Sequence, residues 1–326
     1  MRRLIACLLM SCTVAGAHAQ GWKPTRPIEL VNPAAPGGSV DLMLRMIKKY
    51  VDENRLVDVP VNVVYKTGAN GAIALDYVNQ NQGSGEVLFA MAHTYLGIRL
   101  TGESKLDFRD LTHVAVLFKE YHVTAVRPDS PLATGKDLID RMRADPSSLS
   151  YGFFGNPGNH LHLAAAIPLK AAGVDIRRMT NVPYRSGPEA MVAAIGGHLD
   201  VALVSAVNPQ ANVQAGKMRV LTQSGAVRGG GYLKDVPTWR ELGIDVDYAT
   251  VQGVSAPRNA PPAAVAFWED VMRRMSRDPE WIRTLERSLW DDAFMDAARS
   301  KAFYDAEYQK IRAALDALGL IKVQVP

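Results

Sequence analysis

Pro27-Ile28-Glu29-Leu30-Val31-Asn32 is followed by Pro33-Ala34-Ala35-Pro36-Gly37-Gly38-Ser39, and then by Val40-Asp41-Leu42-Met43-Leu44-Arg45-Met46-Ile47-Lys48-Lys49-Tyr50. The first stretch reads as a strand and the second as a Gly-rich turn. The third reads as a helix from about 40 to 52, with Leu42, Leu44, Met46, Ile47 and Tyr50 apolar. The unit then repeats. Val61-Asn62-Val63-Val64-Tyr65 is a strand, Thr67-Gly68-Ala69-Asn70-Gly71 a turn, and Ile73, Leu75 and Tyr77 mark a helix. A third strand over 87–92 ends at His93-Thr94-Tyr95. Strands alternating with helices at this spacing predict an α/β fold with a largely parallel sheet.

Farther along, a strand over 121–127 runs into the break Pro128-Asp129-Ser130-Pro131, after which a second α/β block begins. Its strands are predicted at 149–154, 181–184, 199–205 and 218–223. Its turns are Gly155-Asn156-Pro157-Gly158-Asn159 and Arg185-Ser186-Gly187, and the second opens a helix at Pro188-Glu189. A strand over 246–254 leaves the block, and only helices are expected beyond it, over 261–276, 278–288 and 292–317. One strand entering and one leaving predict two α/β lobes, a central cleft and a hinge. Residues 20–125 with 252–326 form lobe 1, and 126–251 form lobe 2.

The chain has 326 residues, 48% hydrophobic and 21% charged, enough for about two domains with proper cores. Met1-Arg2-Arg3, the apolar run 4–14 and Ala17-His18-Ala19 form a signal-peptide pattern with cleavage after residue 19. Export would remove Arg2 and Arg3, lowering the formal charge of +4 by two, and would also remove Cys7 and Cys12, the two cysteines of the chain. The mature protein is therefore expected in the periplasm, folded without disulfides. Leu9-Met10-Ser11-Cys12 is a competing lipoprotein-type pattern, but Met10 sits badly in it. The scattered basic residues leave no nucleic-acid footprint.

Four Gly-rich turns (34–39, 67–71, 155–159 and 185–188) each join a strand to a helix. In an open α/β sheet such turns lie at the carboxyl ends of the strands, where ligands bind, and helix N-termini there offer free N–H groups to an anion. Walker A, strand-linked GxGxxG, G-x-S-x-G and H-E-x-x-H patterns are all missing. His160-x-His162 lacks a spaced partner for a metal, and Ser205 with His93 or His160 lacks a third member. Trp239, Trp268, Trp281 and Trp290 fall on predicted helices as packing anchors, and Asp41 and Asp200 read as structural.

The stretch from Pro27-Ile28 through Pro36-Gly37-Gly38-Ser39-Val40-Asp41 resembles the opening motif of the Bug-type solute receptors of tripartite tricarboxylate transporters. The resemblance continues through Gly68-Ala69-Asn70-Gly71, Tyr151-Gly152, Gly155, His160-Leu161 and Val182-Pro183-Tyr184-Arg185-Ser186-Gly187-Pro188-Glu189-Ala190. It extends to Gly196-Gly197-His198-Leu199-Asp200, Val236-Pro237-Thr238 and Glu241-Leu242-Gly243. It implies a type II periplasmic-binding-protein fold whose cleft closes on a small organic carboxylate. Backbone amides and water beside the first turn would hold the ligand, and a membrane permease would receive it. Asn32-Pro33-Ala34-Ala35, Lys66-Thr67 and His93-Thr94-Tyr95 depart from the usual pattern and bear on the ligand more than on the fold.

The expected ligand contacts are backbone donors at Ala35, Gly37, Gly38 and Ser39, donors around Gly155, Asn156 and Asn159, and the side chains of Asn70, Thr94, Tyr95, Tyr184 and Ser205. No catalytic residue, cofactor or metal is expected, and the receptor is expected to be a monomer. A secreted enzyme on the same fold, or a ligand sensor for a signalling partner, are the alternatives.

Overall fold

The computed structural model describes residues 22–323, so the predicted signal segment 1–19, with Cys7 and Cys12, lies outside the described residues. The first half of the chain forms β1 (Ile28–Asn32), α1 (Ser39–Glu53), β2 (Val61–Tyr65), α2 (Ala72–Gln80), β3 (Val87–Ala92), β4 (Leu111–Val126), α3 (Gly135–Ala144), β5 (Ser150–Phe154) and α4 (His160–Ala171). The second half forms β6 (Thr180–Tyr184), α5 (Gly187–Ile195), β7 (Val201–Ser205), α6 (Gln210–Gln214), β8 (Arg219–Gln223), β9 (Ala249–Pro257), α7 (Pro262–Met275), α8 (Pro279–Ser288), β10 (Asp291–Met295) and α9 (Ala297–Leu318).

The strands follow the order β2-β1-β3-β9-β4-β7-β5-β6, with β8 and β10 also paired to β4. The expected parallel pairing holds for the outer trios β2-β1-β3 and β7-β5-β6. The middle is antiparallel, because β4 and β9 carry the chain between the two halves in opposite directions. β4 pairs with β9 as far as Tyr121↔Ala249, and from His122↔Ser205 onward it pairs with β7. One strand thus belongs to both lobes of this two-lobed α/β fold.

β4 has 16 residues, far more than the strand expected over 121–127. The strand runs back through Lys119 and Glu120, and Glu120 is buried. The C-terminal region also differs from the all-helical expectation. Asp291–Met295 pairs with β4, and α9 starts only where the Asp296 side chain accepts from the Arg299 N–H (2.8 Å). The four tryptophans are buried as expected, although Trp239 lies in a turn and Trp290 between α8 and β10 rather than on helices.

Three apolar clusters fill the molecule. Ile28, Leu30, Met43, Ile47, Trp268 and Trp281 pack one face of the first sheet under α1, α7 and α8. Val123, Ala125, Ala190, Met191 and Val204 fill the space under α5. The largest cluster runs from Val31 and Phe89 through Val251, Ile311 and Leu315 to Leu169 and Tyr151, and so joins both lobes behind the cleft. Among the described residues no helix is long and apolar enough to cross a membrane.

Candidate ligand-binding site

The first turn is fixed from below. Asn32, at the end of β1, accepts from the Ala34 N–H (2.9 Å) and donates to Asp41 (3.3 Å). Asp41 is buried and accepts from the Tyr65 hydroxyl (2.6 Å), the Arg45 guanidinium (2.9 Å) and the Gly37 N–H (3.1 Å). Burial alone would raise its carboxyl, but these hydrogen bonds outweigh burial and hold it below its ordinary value. Gly37 takes φ +96°, a conformation that favours glycine. α1 then begins at Gly38 with no side-chain cap, leaving its first N–H groups to whatever occupies the cleft.

The second and third turns meet across the cleft. Asn70 is left-handed (φ 53°, ψ 28°), and its amide donates to Glu103 (2.7 Å). Asn156, in the other lobe, donates to the second oxygen of the same carboxylate (2.8 Å). Gly155 (φ +80°) lies so close that a Cβ there would stand 2.5 Å from the Asn70 Oδ1, hence glycine. The fourth turn ends in α5, where Ser186 accepts from the Glu189 N–H (3.2 Å) as a helix cap. The Arg185 side chain beside it is 93% exposed and faces the opening.

An inner cavity of about 80 Å³ is enclosed by Ala35, Gly38 and Ser39 on one side and by Ser186, Gly187, Pro188 and His160 on the other, with Ser205 and Gln252 at its base. An outer chamber of about 460 Å³ adjoins it between the turns carrying Asn70, Gly155, Asn156 and Tyr184. Ala35, Phe154 and Arg185 line both. A further cavity of about 590 Å³ lies behind the hinge between α4 and α9, away from the four turns.

The structure thus gathers Ala35, Gly38, Ser39 and Ser205 around the inner cavity, and Asn70, Gly155, Asn156 and Tyr184 around the outer one. Four expected contacts have other engagements. The Gly37 N–H is held by Asp41, and the Thr94 hydroxyl bonds His160 Nδ1 (2.7 Å). Tyr95 is 2% exposed, packs edge-on against Phe89, and brings its hydroxyl against Gly71. Asn159 caps α4 by accepting from the His162 N–H (3.0 Å) and donates to the Phe154 carbonyl.

Sequence reasoning missed Arg185, His160 and Gln252 as cavity-lining residues, and Glu120 behind them. Their signal was a polar side chain at an inward position of an otherwise apolar strand, or at a turn already suspected of binding. Glu120 is 1% exposed, and its Oε1 accepts from Ser39 (3.2 Å) and from Gln252 (2.6 Å). Burial raises its carboxyl, while hydrogen bonds from Gln252, Ser39 and Ser205 only partly offset that rise. Burial likewise pushes His160 down to about 3, helped by neighbouring His93, and His162 down to about 4. His162 accepts from the Gly158 N–H (3.0 Å) and stacks on Phe153, so the two imidazoles of the His160-x-His162 pair serve separate partners. Ser205 has His122 as its cross-strand partner, and its hydroxyl also lies close to Glu120.

Two lobes linked by paired crossing strands, with helix starts from both turned onto one cleft, define a solute-binding receptor of the periplasmic-binding-protein class. Residues 45–320 match the profile described as "Tripartite tricarboxylate transporter family receptor", and the chain belongs to that family of Bug-type receptors. A protein of Cupriavidus necator named "UPF0065 protein in gbd 5'region" is 29% identical over 313 residues, covering 94% of this chain and 92% of that one. The solved periplasmic binding protein BugD aligns with a TM-score of 0.81 at 19% identity, over 91% of this chain and 99% of its own. The R. palustris protein Rpa4515, solved with adipate, also aligns at 0.81, with 23% identity over 91% and 98% of the two chains.

Proposed function

We propose that this receptor captures a small organic carboxylate between its lobes, in the periplasm, and delivers it to the membrane components of a tripartite tricarboxylate-type transporter. We read the lobes as 20–125 with 252–326 and as 126–251, with the hinge beginning where β4 passes from β9 to β7 between Tyr121 and His122, a few residues before that boundary. The observation that carries the reading is the uncapped start of α1 facing the start of α5 across the inner cavity. Unpaired N–H groups and the positive ends of two helix dipoles attract an anion, and Arg185 at the opening adds an exposed cation beside Glu189. The adipate in the similarly folded R. palustris protein supports a carboxylate ligand.

A thermal-shift panel tests this. A ligand at about 100 times its dissociation constant adds roughly 2.7 kcal/mol to stability, a shift of several degrees for a protein of this size. At least one of citrate, C4-dicarboxylates, acidic amino acids, nicotinate and benzoate-type acids should stabilise the protein. Neutral sugars and metal salts should not. Stabilisation by sugars or Zn²⁺ alone would overturn the reading, and turnover of a bound ester would favour an enzyme instead.

A further inference from the structure

One polar group at the base of the cleft has no part in holding a carboxylate. Glu120 sits on β4 immediately before the change of partners, behind Ser39, Ser205 and Gln252. The Ser39 and Gln252 donors converge on Oε1 and the Ser205 hydroxyl lies close by, while Oε2 is buried and makes no hydrogen bond of normal geometry among the described residues. Gln252 Oε1 is bare in the same way. The groups bonded to Glu120 are all neutral, so no adjacent countercharge supports its ionised form and burial raises its carboxyl.

We propose that Glu120 selects the ligand by receiving a protonated amine, so that the receptor takes a short amino-carboxylic acid in preference to a plain carboxylic acid. The inference rests on the carboxylate reading above and specifies it. A carboxylate brings acceptors only, and set against Glu120 Oε2 and Gln252 Oε1 it would place acceptor against acceptor. A hydroxyl brings one donor for two bare acceptors. An ammonium brings three donors and the missing positive charge, and charge-assisted bonds of this kind are the strong ones. Burial favours the neutral acid in the empty site, and an incoming cation supplies the partner that lets Glu120 ionise. Ser39 sets the spacing. Its hydroxyl is bonded to Glu120 while its backbone lies in the first turn of α1, so the amine and carboxylate positions are about one side chain apart. That spacing and an inner cavity of about 80 Å³ suit an α-amino acid head.

Isothermal titration with matched pairs tests the proposal: L-aspartate against succinate, L-glutamate against glutarate, and L-alanine against propionate. The wild-type protein should bind the amino member of at least one pair tenfold or more tightly. Glu120→Gln, nearly the same shape, should lose that preference by weakening the amino member at least tenfold while leaving its plain counterpart within about threefold. Glu120→Asp should restore part of it. A wild-type preference for the plain acid overturns the inference while leaving the carboxylate reading standing, as does an amino-to-plain ratio unchanged in Glu120→Gln. Should the variant fail to fold, the wild-type ratio decides. No response to either member of any pair, with none to the wider acid panel, overturns the carboxylate reading and this inference together.

Discussion

Acid should loosen this protein well before its carboxylates begin to protonate. His113 is buried against Phe108 and Tyr304, with its Nδ1 on Ser255 (3.1 Å), and burial holds its pKa down to about 4. His162, 1% exposed, is likewise held to about 4. In an unfolded chain both would titrate near 6.5. Above pH 6.5 both states are neutral and the histidines contribute no pH dependence. As pH falls below 6.5 the unfolded chain takes up protons that the folded one refuses, so stability declines until the folded values near 4 are reached. At pH 5 the linkage amounts to about 2 kcal/mol for each histidine, and the fully developed loss is about 3.4 kcal/mol each. Two such groups remove about 4 kcal/mol from a typical total of about 5–15. His160, held to about 3, and His122, pushed down by the same burial, add to this loss, while Glu120, whose pKa is raised, offsets part of it. Urea unfolding followed by the fluorescence of the buried tryptophans, at half-unit steps from pH 7.5 to 5, measures it. Stability that stays flat over this interval would refute the reasoning. So would His113 and His162 imidazole resonances that titrate near pH 6.5 in the folded protein.

Three other outcomes can be checked. Gly38→Val should fold normally, because Gly38 has φ −89° and open space where a Cβ would stand, yet it should abolish the stabilisation given by any carboxylate hit; unchanged binding would remove the first turn from the site. Glu103→Ala breaks both bonds joining Asn70 to Asn156; at about 1 kcal/mol for each partly exposed contact, ligand affinity should fall up to about thirtyfold and the radius of gyration of the bound form should rise in X-ray scattering. Intact mass of protein recovered from a native periplasm should correspond to a chain starting at Gln20, and a diacylated chain starting at Cys12 would contradict that.

The lobes were legible because each strand–turn–helix unit announces itself locally: apolar run, glycines, amphipathic helix. Ser39, Asn70 and Gly155 could be picked out for the same reason, being punctuation between elements. What stayed hidden depends on contacts distant in sequence. Nothing near Glu120 shows that Ser39, 81 residues earlier, and Gln252, 132 residues later, will surround it, so it fell outside the expected strand and drew no role. Tyr95 shows the converse case: a phenol after a strand end reads as a ligand contact, whereas its packing on Phe89 and its approach to Gly71 appear only in the fold. Asp296 could be recognised as a helix start only after Asp291 and Asp292 had been claimed by pairing with β4.

Because β4 is shared, its length is a constraint on how such a receptor can diversify. Its Leu111–Tyr121 half is set against β9 and its His122–Ala125 half against β7, with no loop between them to absorb a change in register. Inserting or deleting one residue near the junction would send Val123 and Ala125 to the opposite face and turn Glu120 away from Ser39, spoiling the second lobe's core and the cleft base in one event. The turns at the strand ends carry no such coupling. New ligand preferences are therefore open to substitution along β4 and β9 and to length change in the turns, while insertions and deletions inside the crossing strands are closed to them.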